Sequence, residues 1–196
     1  MDDAASRPAT SDSASRPATS DSARRRATSD GGSTSSPAPP LAPLIFLDID
    51  GVICCNYVGE LQGEKLAQLK RICKATGAKV VLSSDWRRTE PLKQRCRRAF
   101  RRIKVEYAGC TPQQTVREHL GHWTIEKACR PQEITAWLRQ YRSTWPGPYV
   151  AIDDRDLLGE VGGDELEGHF VQTSFSTGLT AAAADKAIAI LQNEAS

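Results

Sequence analysis

The sequence predicts an α/β fold in which a parallel sheet of about five strands carries helices on both faces. Short apolar runs alternate along the chain with stretches of helical periodicity, an order typical of parallel sheets. Three of the apolar runs end in polar side chains, and the carboxyl ends of parallel strands meet at one edge of a sheet. We assign this fold to residues 44–196, a length that suits one ordinary domain.

Residues 1–43 differ in composition from the rest of the chain. They contain almost no large apolar side chain, and a nine-residue unit, Ala-Ser-Arg-Pro-Ala-Thr-Ser-Asp-Ser, occurs at 5–13, again at 14–22 and in degraded form at 23–31. A repeat this short and polar cannot bury a core, so we expect a disordered tail. The tail is too polar for a secretory signal. We expect an intracellular, cytoplasmic location, with organelle and nuclear targeting left open.

The first predicted strand is the apolar run Leu44–Leu47, which Asp48, Asp50 and Gly51 follow closely. Unpaired carboxylates are costly to bury and serve no packing purpose at a strand end. Because side chains alternate along an extended backbone, Asp48 and Asp50 point to the same side. Gly51 permits a sharp turn that brings backbone amides near a bound group. An isolated Asp-x-Asp can also be an ordinary solvated turn, but the apolar residues on both sides favour a functional site.

The remaining elements follow in alternation. They are a helix at about 61–75, a strand at 79–83, a helix from Pro91 to about 102, a strand at 104–108, a helix beginning near Pro131, strands at 149–153 and 169–173, and a last helix capped by Thr180. The helices are predicted from apolar residues three and four positions apart, with proline tolerated in the first turn. The strand at 104–108 is the least hydrophobic, so we expect it near a sheet edge. This order predicts a Rossmann-like sheet.

Polar side chains end two further strands of this sheet. Ser83 ends the second strand, and Asp153 and Asp154 end the fourth. Together with Asp48 and Asp50 they would bring several carboxylates to one sheet edge, where like charges repel and raise each other's pKa. A divalent cation with oxygen ligands resolves that repulsion. Paired acids at such a site can also attack phosphorus or transfer a proton.

These motifs resemble those of the haloacid dehalogenase (HAD) superfamily, whose members are mostly phosphatases and phosphotransferases. The segment 47–52 resembles its first motif, 80–83 its second and 152–154 its acidic fourth. The resemblance implies that Asp48 attacks phosphorus and carries an aspartyl-phosphate. Asp50 would protonate the leaving oxygen, then activate water, while its backbone carbonyl touches the metal.

The same resemblance implies a Mg²⁺ site and a phosphate-binding site. Asp48 with Asp153 or Asp154 would bind Mg²⁺, and the choice between the last two is open. Ser83 and Gly51 would contact the phosphoryl group.

The third motif is usually a lysine near a helix start, and here the sequence departs from the pattern. Arg130 is the best-placed candidate for that role and for contact with phosphate, and Lys127 is the second. An arginine neutralises phosphoryl charge as a lysine does.

The substrate is predicted to be bulky. The stretch between Asp50 and Ser83 holds only a loop and a helix, so we expect a minimal cap or none. Nine basic residues lie between Arg87 and Lys104, with Glu90 as the one acid among them. A helix with that charge near the site would attract a polyanion, although basic helices are also often merely solvated.

Three further segments, 82–87, 109–112 and 133–138, resemble the small capless HAD domains associated with RNA-repair proteins. This resemblance makes RNA or DNA ends attractive substrates, with another bulky phosphate ester as the other possibility, no membrane partner, and the oligomeric state open. The leading hypothesis is a Mg²⁺-dependent phosphatase. The alternatives are a non-catalytic nucleic-acid-binding module on the same fold, or a phosphotransferase.

Overall fold

The computed structural model describes residues 42–120, 122–141 and 147–193, except for the side chains of 116–120 and 123–128. The predicted repeat tail lies outside these residues. The elements in chain order are β1 (Leu44–Leu47), α1 (Gly63–Thr76), β2 (Lys79–Leu82), α2 (Glu90–Arg102), β3 (Tyr107–Cys110), β4 (Thr115–Leu120), β5 (Trp123–Ala128), α3 (Arg130–Tyr141), β6 (Tyr149–Asp153), β7 (Phe170–Gln172) and α4 (Ala181–Asn193). Within the described part of the chain, no helix is both long and apolar enough to cross a membrane.

Five strands form a parallel sheet in the order β3-β2-β1-β6-β7. The central strand β1 pairs with β2 on one side and with β6 on the other. The chain therefore changes sides of β1 between β3 and β6, and the carboxyl ends of β1 and β6 flank the switch point where open α/β sheets bind ligands. This topology confirms the predicted Rossmann-like sheet and places the predicted acidic strand ends side by side.

The central strand is buried on both faces because its side chains alternate. Ile45 and Leu47 pack in the layer formed with α1, α2 and α4. Leu44 and Phe46 pack on the other face, against α3 and two short 3₁₀ turns. The predicted helices on both faces are confirmed. All four residues of β1 are apolar because both faces of the strand are buried.

The third strand begins later than the sequence pattern predicts. At the end of α2, Lys104 adopts a left-handed conformation with φ 61°, and the Val105 amide donates back to the Phe100 carbonyl at 2.9 Å. The chain therefore becomes a strand only at Tyr107, so the predicted start at 104 is wrong. The strand does lie at the sheet edge, as its low hydrophobicity predicted.

A two-stranded antiparallel hairpin, β4–β5, lies between β3 and α3. The sequence pattern did not predict it, because charged residues interrupt the apolar alternation that would mark a strand. A hydrogen bond of 3.2 Å from the Cys129 amide to the Gln114 carbonyl joins the two ends of the hairpin. An insertion of this size agrees with the predicted minimal cap.

Candidate active site

Three carboxylates meet at the switch point of the sheet. One oxygen from each of Asp48, Asp153 and Asp154 lies within 4.8 Å of the other two. The sheet register accounts for this meeting, because the Asp48 amide continues the β1–β6 pairing by donating to the Ile152 carbonyl at 3.0 Å. Asp48 and Asp153 are only 6% and 2% exposed. The structure thus brings together three of the four residues predicted to hold a metal.

A single guanidinium lies between two of these acids. Arg130 Nη1 is 3.1 Å from Asp48 Oδ1 and 3.2 Å from Asp153 Oδ2, and its side chain is buried. Arg130 is the first residue of α3, so the start of this helix places the guanidinium at the ends of β1 and β6. This placement suits the third-motif role predicted for Arg130. The side chain of Lys127, the second candidate, lies outside the described residues.

The buried acids remain incompletely neutralised by Arg130. Burial and the neighbouring Asp153 raise the pKa of Asp48 to about 7, although Arg130 and a hydrogen bond from Ser84 oppose the rise. Burial also raises the pKa of Asp153, against the effect of Arg130, and burial raises that of Asp154. A hard divalent cation fits this donor set, because it prefers carboxylate oxygens and favours their ionised form.

Gly51 makes room for the third carboxylate. Its φ is +70°, and a Cβ built there would lie 2.2 Å from Asp154 Oδ2. The turn is held in place by the Thr173 hydroxyl, which donates to the Gly51 carbonyl at 2.8 Å. Glycine at this position therefore meets two needs, the left-handed backbone and the space that Asp154 occupies. Its predicted contact with phosphate stays a prediction.

The side chain of Asp50 is not part of the cluster of three acids, although its charge acts on Asp154. It is exposed, and its Oδ2 accepts a hydrogen bond of 2.9 Å from the indole Nε1 of Trp86. Trp86 itself is buried, so the indole fixes one oxygen of an otherwise accessible carboxylate. This setting suits proton exchange with solvent or a leaving group. The predicted metal contact through the Asp50 backbone carbonyl stays a prediction.

Ser83 lies at the end of β2, next to the end of β1. Its amide donates to the Leu47 carbonyl at 2.8 Å, and its buried hydroxyl accepts from Thr111 Oγ1 at 3.4 Å. The neighbouring Ser84 hydrogen-bonds Asp48 and caps the 3₁₀ turn that follows. The sequence pattern did not single out Thr111 or Ser84, although both are buried polar residues at strand ends.

A second buried ion pair supports the site and was missed from the sequence. The expectation that Arg87 belongs to an exposed basic surface is wrong, because its side chain is only 2% exposed and pairs with Glu133 at 2.5 Å. The same guanidinium donates to the carbonyls of Ser84 at 2.6 Å, Thr111 at 3.1 Å and Pro112 at 3.2 Å. Arg87 thereby ties the loop after β2 to the loop after β3.

Glu133 connects this pair to the acidic cluster. It lies one turn into α3, where its Oε1 also accepts from the Gln114 amide at 3.2 Å and its Oε2 lies 3.4 Å from Arg130 Nε. The contact with Arg130 has the distance of an ion pair but makes no hydrogen bond. The three-residue spacing of Arg130 and Glu133 at a helix start is a sequence signal from which their contact could have been predicted, but we did not use it.

A protein-family model described as the HAD domain in Swiss Army Knife RNA repair proteins matches residues 44–184. The matched segment includes every residue of the site described above. It confirms the family resemblance that the strand-end motifs predicted. No curated protein and no solved structure matches the chain.

We expect Glu133→Gln to lower the free energy of unfolding by about 3 kcal/mol or more, because it leaves two buried guanidinium groups short of one negative charge. Glu165→Gln is the matched control. It alters another Arg–Glu pair of α3, which joins Arg139 to the 3₁₀ turn at 163–166, but both side chains are exposed to solvent, so we expect a loss below about 1 kcal/mol. Chemical denaturation measures both values, and equal small losses would contradict the role given to Glu133.

We expect Gly51→Ala to weaken Mg²⁺ binding by about tenfold or more, because the new methyl group displaces the Asp154 carboxylate. Gly77→Ala is the control, since Gly77 has φ +72° and no atom within 4 Å of its Cβ position. Both variants therefore carry similar backbone strain, and only Gly51→Ala disturbs the cluster. Titration with Mg²⁺ followed by calorimetry measures the affinities. Equal affinity in the two variants would exclude Asp154 from the cation site.

Proposed function

The chain belongs to the family of HAD domains in Swiss Army Knife RNA repair proteins, and on that premise we propose that it is a Mg²⁺-dependent phosphatase that removes phosphate from nucleic-acid ends. The observation that carries the proposal is the position of Asp48, a buried carboxylate at the switch point with Arg130 at 3.1 Å and two further acids beside it. A carboxylate in such a setting is a suitable nucleophile toward phosphorus.

In the first step of the proposed reaction, a carboxylate oxygen of Asp48 attacks phosphorus while the bond from phosphorus to the ester oxygen breaks. Asp50, in its protonated form, gives its proton to that departing oxygen. Arg130 and the Ser83 hydroxyl orient the phosphoryl oxygens and stabilise the charge on them. The products of this step are the free hydroxyl of the substrate and a phosphorylated Asp48.

In the second step, Asp50 acts as the base. Its carboxylate takes a proton from a water molecule as that water attacks phosphorus, and the bond between phosphorus and Asp48 breaks. Inorganic phosphate leaves, Asp48 regains its carboxylate, and Asp50 is protonated again for the next cycle. The hydrogen bond from Trp86 to one Asp50 oxygen leaves the other oxygen available for both proton transfers.

The cation enters this proposal through the residues that would hold it. Bound by Asp48, Asp153 and Asp154, Mg²⁺ would supply positive charge that offsets the charge on the transferred group. The chain's own contribution is a set of acids whose pKa values are raised by burial and which one arginine does not balance. The presence of both candidate catalytic carboxylates favours an enzyme over a non-catalytic binding module.

We expect Asp48→Asn to lower hydrolysis of phosphate monoesters by a factor of at least about 10³, since the variant lacks the nucleophile. The assay uses a panel of esters that includes 3′- and 5′-phosphorylated oligonucleotides, with and without Mg²⁺. Asp164→Asn, which removes an exposed carboxylate outside the site, serves as the control and should keep full activity. Undiminished hydrolysis by Asp48→Asn would refute the mechanism.

The same panel tests the alternatives. A non-catalytic module would hydrolyse no ester but would bind oligonucleotides without Mg²⁺ and equally well after Asp48→Asn. A phosphotransferase would pass the label of a phosphorylated oligonucleotide to an added alcohol or nucleoside in preference to water.

A further inference from the structure

We propose that a groove between α2 and the loop at 56–61 binds the sugar-phosphate backbone of a single-stranded nucleic acid whose phosphorylated end lies at Asp48. The proposal rests on the proposed function, because it describes how the strand carrying that phosphate is held. The arginines of α2 that line this groove have no role in the proposed chemistry at Asp48.

The groove has a volume of about 380 Å³, and its lining is strongly basic. It is lined by Glu60, Leu61, Arg95, Arg98, Ala99 and Arg102. The three arginines lie three and four residues apart, so they share one face of α2 and span about 10 Å along its axis. That length corresponds to about three nucleotides of a stacked strand.

Acids within the fold already pair with two other basic side chains of the segment, since Arg88 pairs with Asp85 and Lys93 pairs with Glu90. Arg95 and Arg98 contact uncharged groups, the Trp86 ring and the Gln94 side chain. Arg101 and Lys104 are also exposed but do not line the groove. Among the described residues, no acid forms an ion pair with Arg95, Arg98 or Arg102, and all three are exposed. Their charge is therefore available to an external anion.

The groove is connected to the candidate active site through Trp86. The guanidinium carbon of Arg95 lies 5.7 Å from the centre of the Trp86 ring system, and the indole nitrogen of Trp86 donates to Asp50. The loop on the other side also reaches this indole, since a Cβ built at Gly59 would be 4.0 Å from Trp86 Cζ2. A strand that enters the groove at Arg102 and passes Arg95 therefore arrives beside Asp50.

An exposed tyrosine in the loop that borders the groove favours nucleic acid over an acidic protein segment. Tyr57 is 96% exposed, and its ring centre lies 5.1 Å from that of Phe175. The loop that presents Tyr57 is closed by two hydrogen bonds between Asn56 and Glu60, of 2.7 and 2.9 Å. A basic groove beside an accessible aromatic ring is the combination that binds single strands, because unpaired bases stack on the ring.

The test measures binding of a fluorescent single-stranded RNA by anisotropy, in EDTA and without turnover. We expect the triple variant R95Q/R98Q/R102Q to bind at least about tenfold more weakly at low salt. The slope of log K against log salt should fall by about 2, at about 0.7 for each lost phosphate contact. The control, K70Q/K74Q/K186Q, removes the same charge from exposed positions on α1 and α4 and should change neither quantity.

Equal affinity of the groove variant and the wild-type protein would overturn the proposal, as would an equal loss in the lysine control. Tyr57→Ala should weaken RNA binding without changing the slope of log K against log salt. Val58→Ala, which removes an exposed apolar side chain from the same loop, should leave the affinity unchanged. Equal or tighter binding of a duplex, or of polyglutamate, would also overturn the assignment to a single strand.

The binding measurement is independent of the proposed function because it needs neither Mg²⁺ nor hydrolysis. RNA binding that depends on the three arginines, in a protein that hydrolyses no phosphate ester, would support the groove and refute the phosphatase. Hydrolysis of small esters by a protein that binds no oligonucleotide would support phosphatase chemistry at Asp48, and it would refute the groove and the assignment of nucleic-acid ends as the substrate.

Discussion

The site depends on one contact, in which a single guanidinium nitrogen of Arg130 lies between the carboxylates of Asp48 and Asp153. Arg130 Nη1 lies just over 3 Å from an oxygen of Asp48 and from one of Asp153, at the ends of the two strands that flank the switch point. Without this cation the two buried acids would face each other in a medium that disfavours their charge. With it, the three carboxylates still outnumber the one positive charge, which favours binding of a divalent cation.

An arginine at position 130, where the family resemblance led us to expect a lysine, has a physical explanation in the second ion pair. An arginine offers several donors in a fixed plane, so Nη1 reaches both aspartates while Nε lies beside Glu133. The single ammonium group of a lysine cannot be shared in this way over the same distances. Glu133 in turn balances Arg87, which binds the carbonyls of two loops. The charges at this edge of the sheet and the conformation of the surrounding loops are therefore parts of one buried network.

The parts of the structure that depend on local pattern were predictable from the sequence, and the parts that depend on long-range pairing were not. The apolar run before Asp48 and the alternation of strands and helices identify the sheet, because burial and side-chain alternation act over a few residues. The pairing of Arg87 with Glu133 joins distant positions, and nothing in the neighbourhood of Arg87 distinguishes it from the exposed arginines that follow. The β4–β5 hairpin was not predicted because polar residues interrupt the short apolar alternation of both strands. β3 starts late because Lys104 prolongs the turn at the end of α2.

The central claim is that Asp48 forms a covalent bond to phosphorus during turnover. The most direct measurement is mass spectrometry of protein quenched in acid while it hydrolyses a phosphate ester in the presence of Mg²⁺, followed by peptide mapping. We expect a phosphoryl group on the peptide that contains Asp48, located on that carboxylate and lost on incubation at neutral pH. A phosphoryl group on another residue, or turnover at full rate with Asp48 unmodified at every quench time, would contradict it.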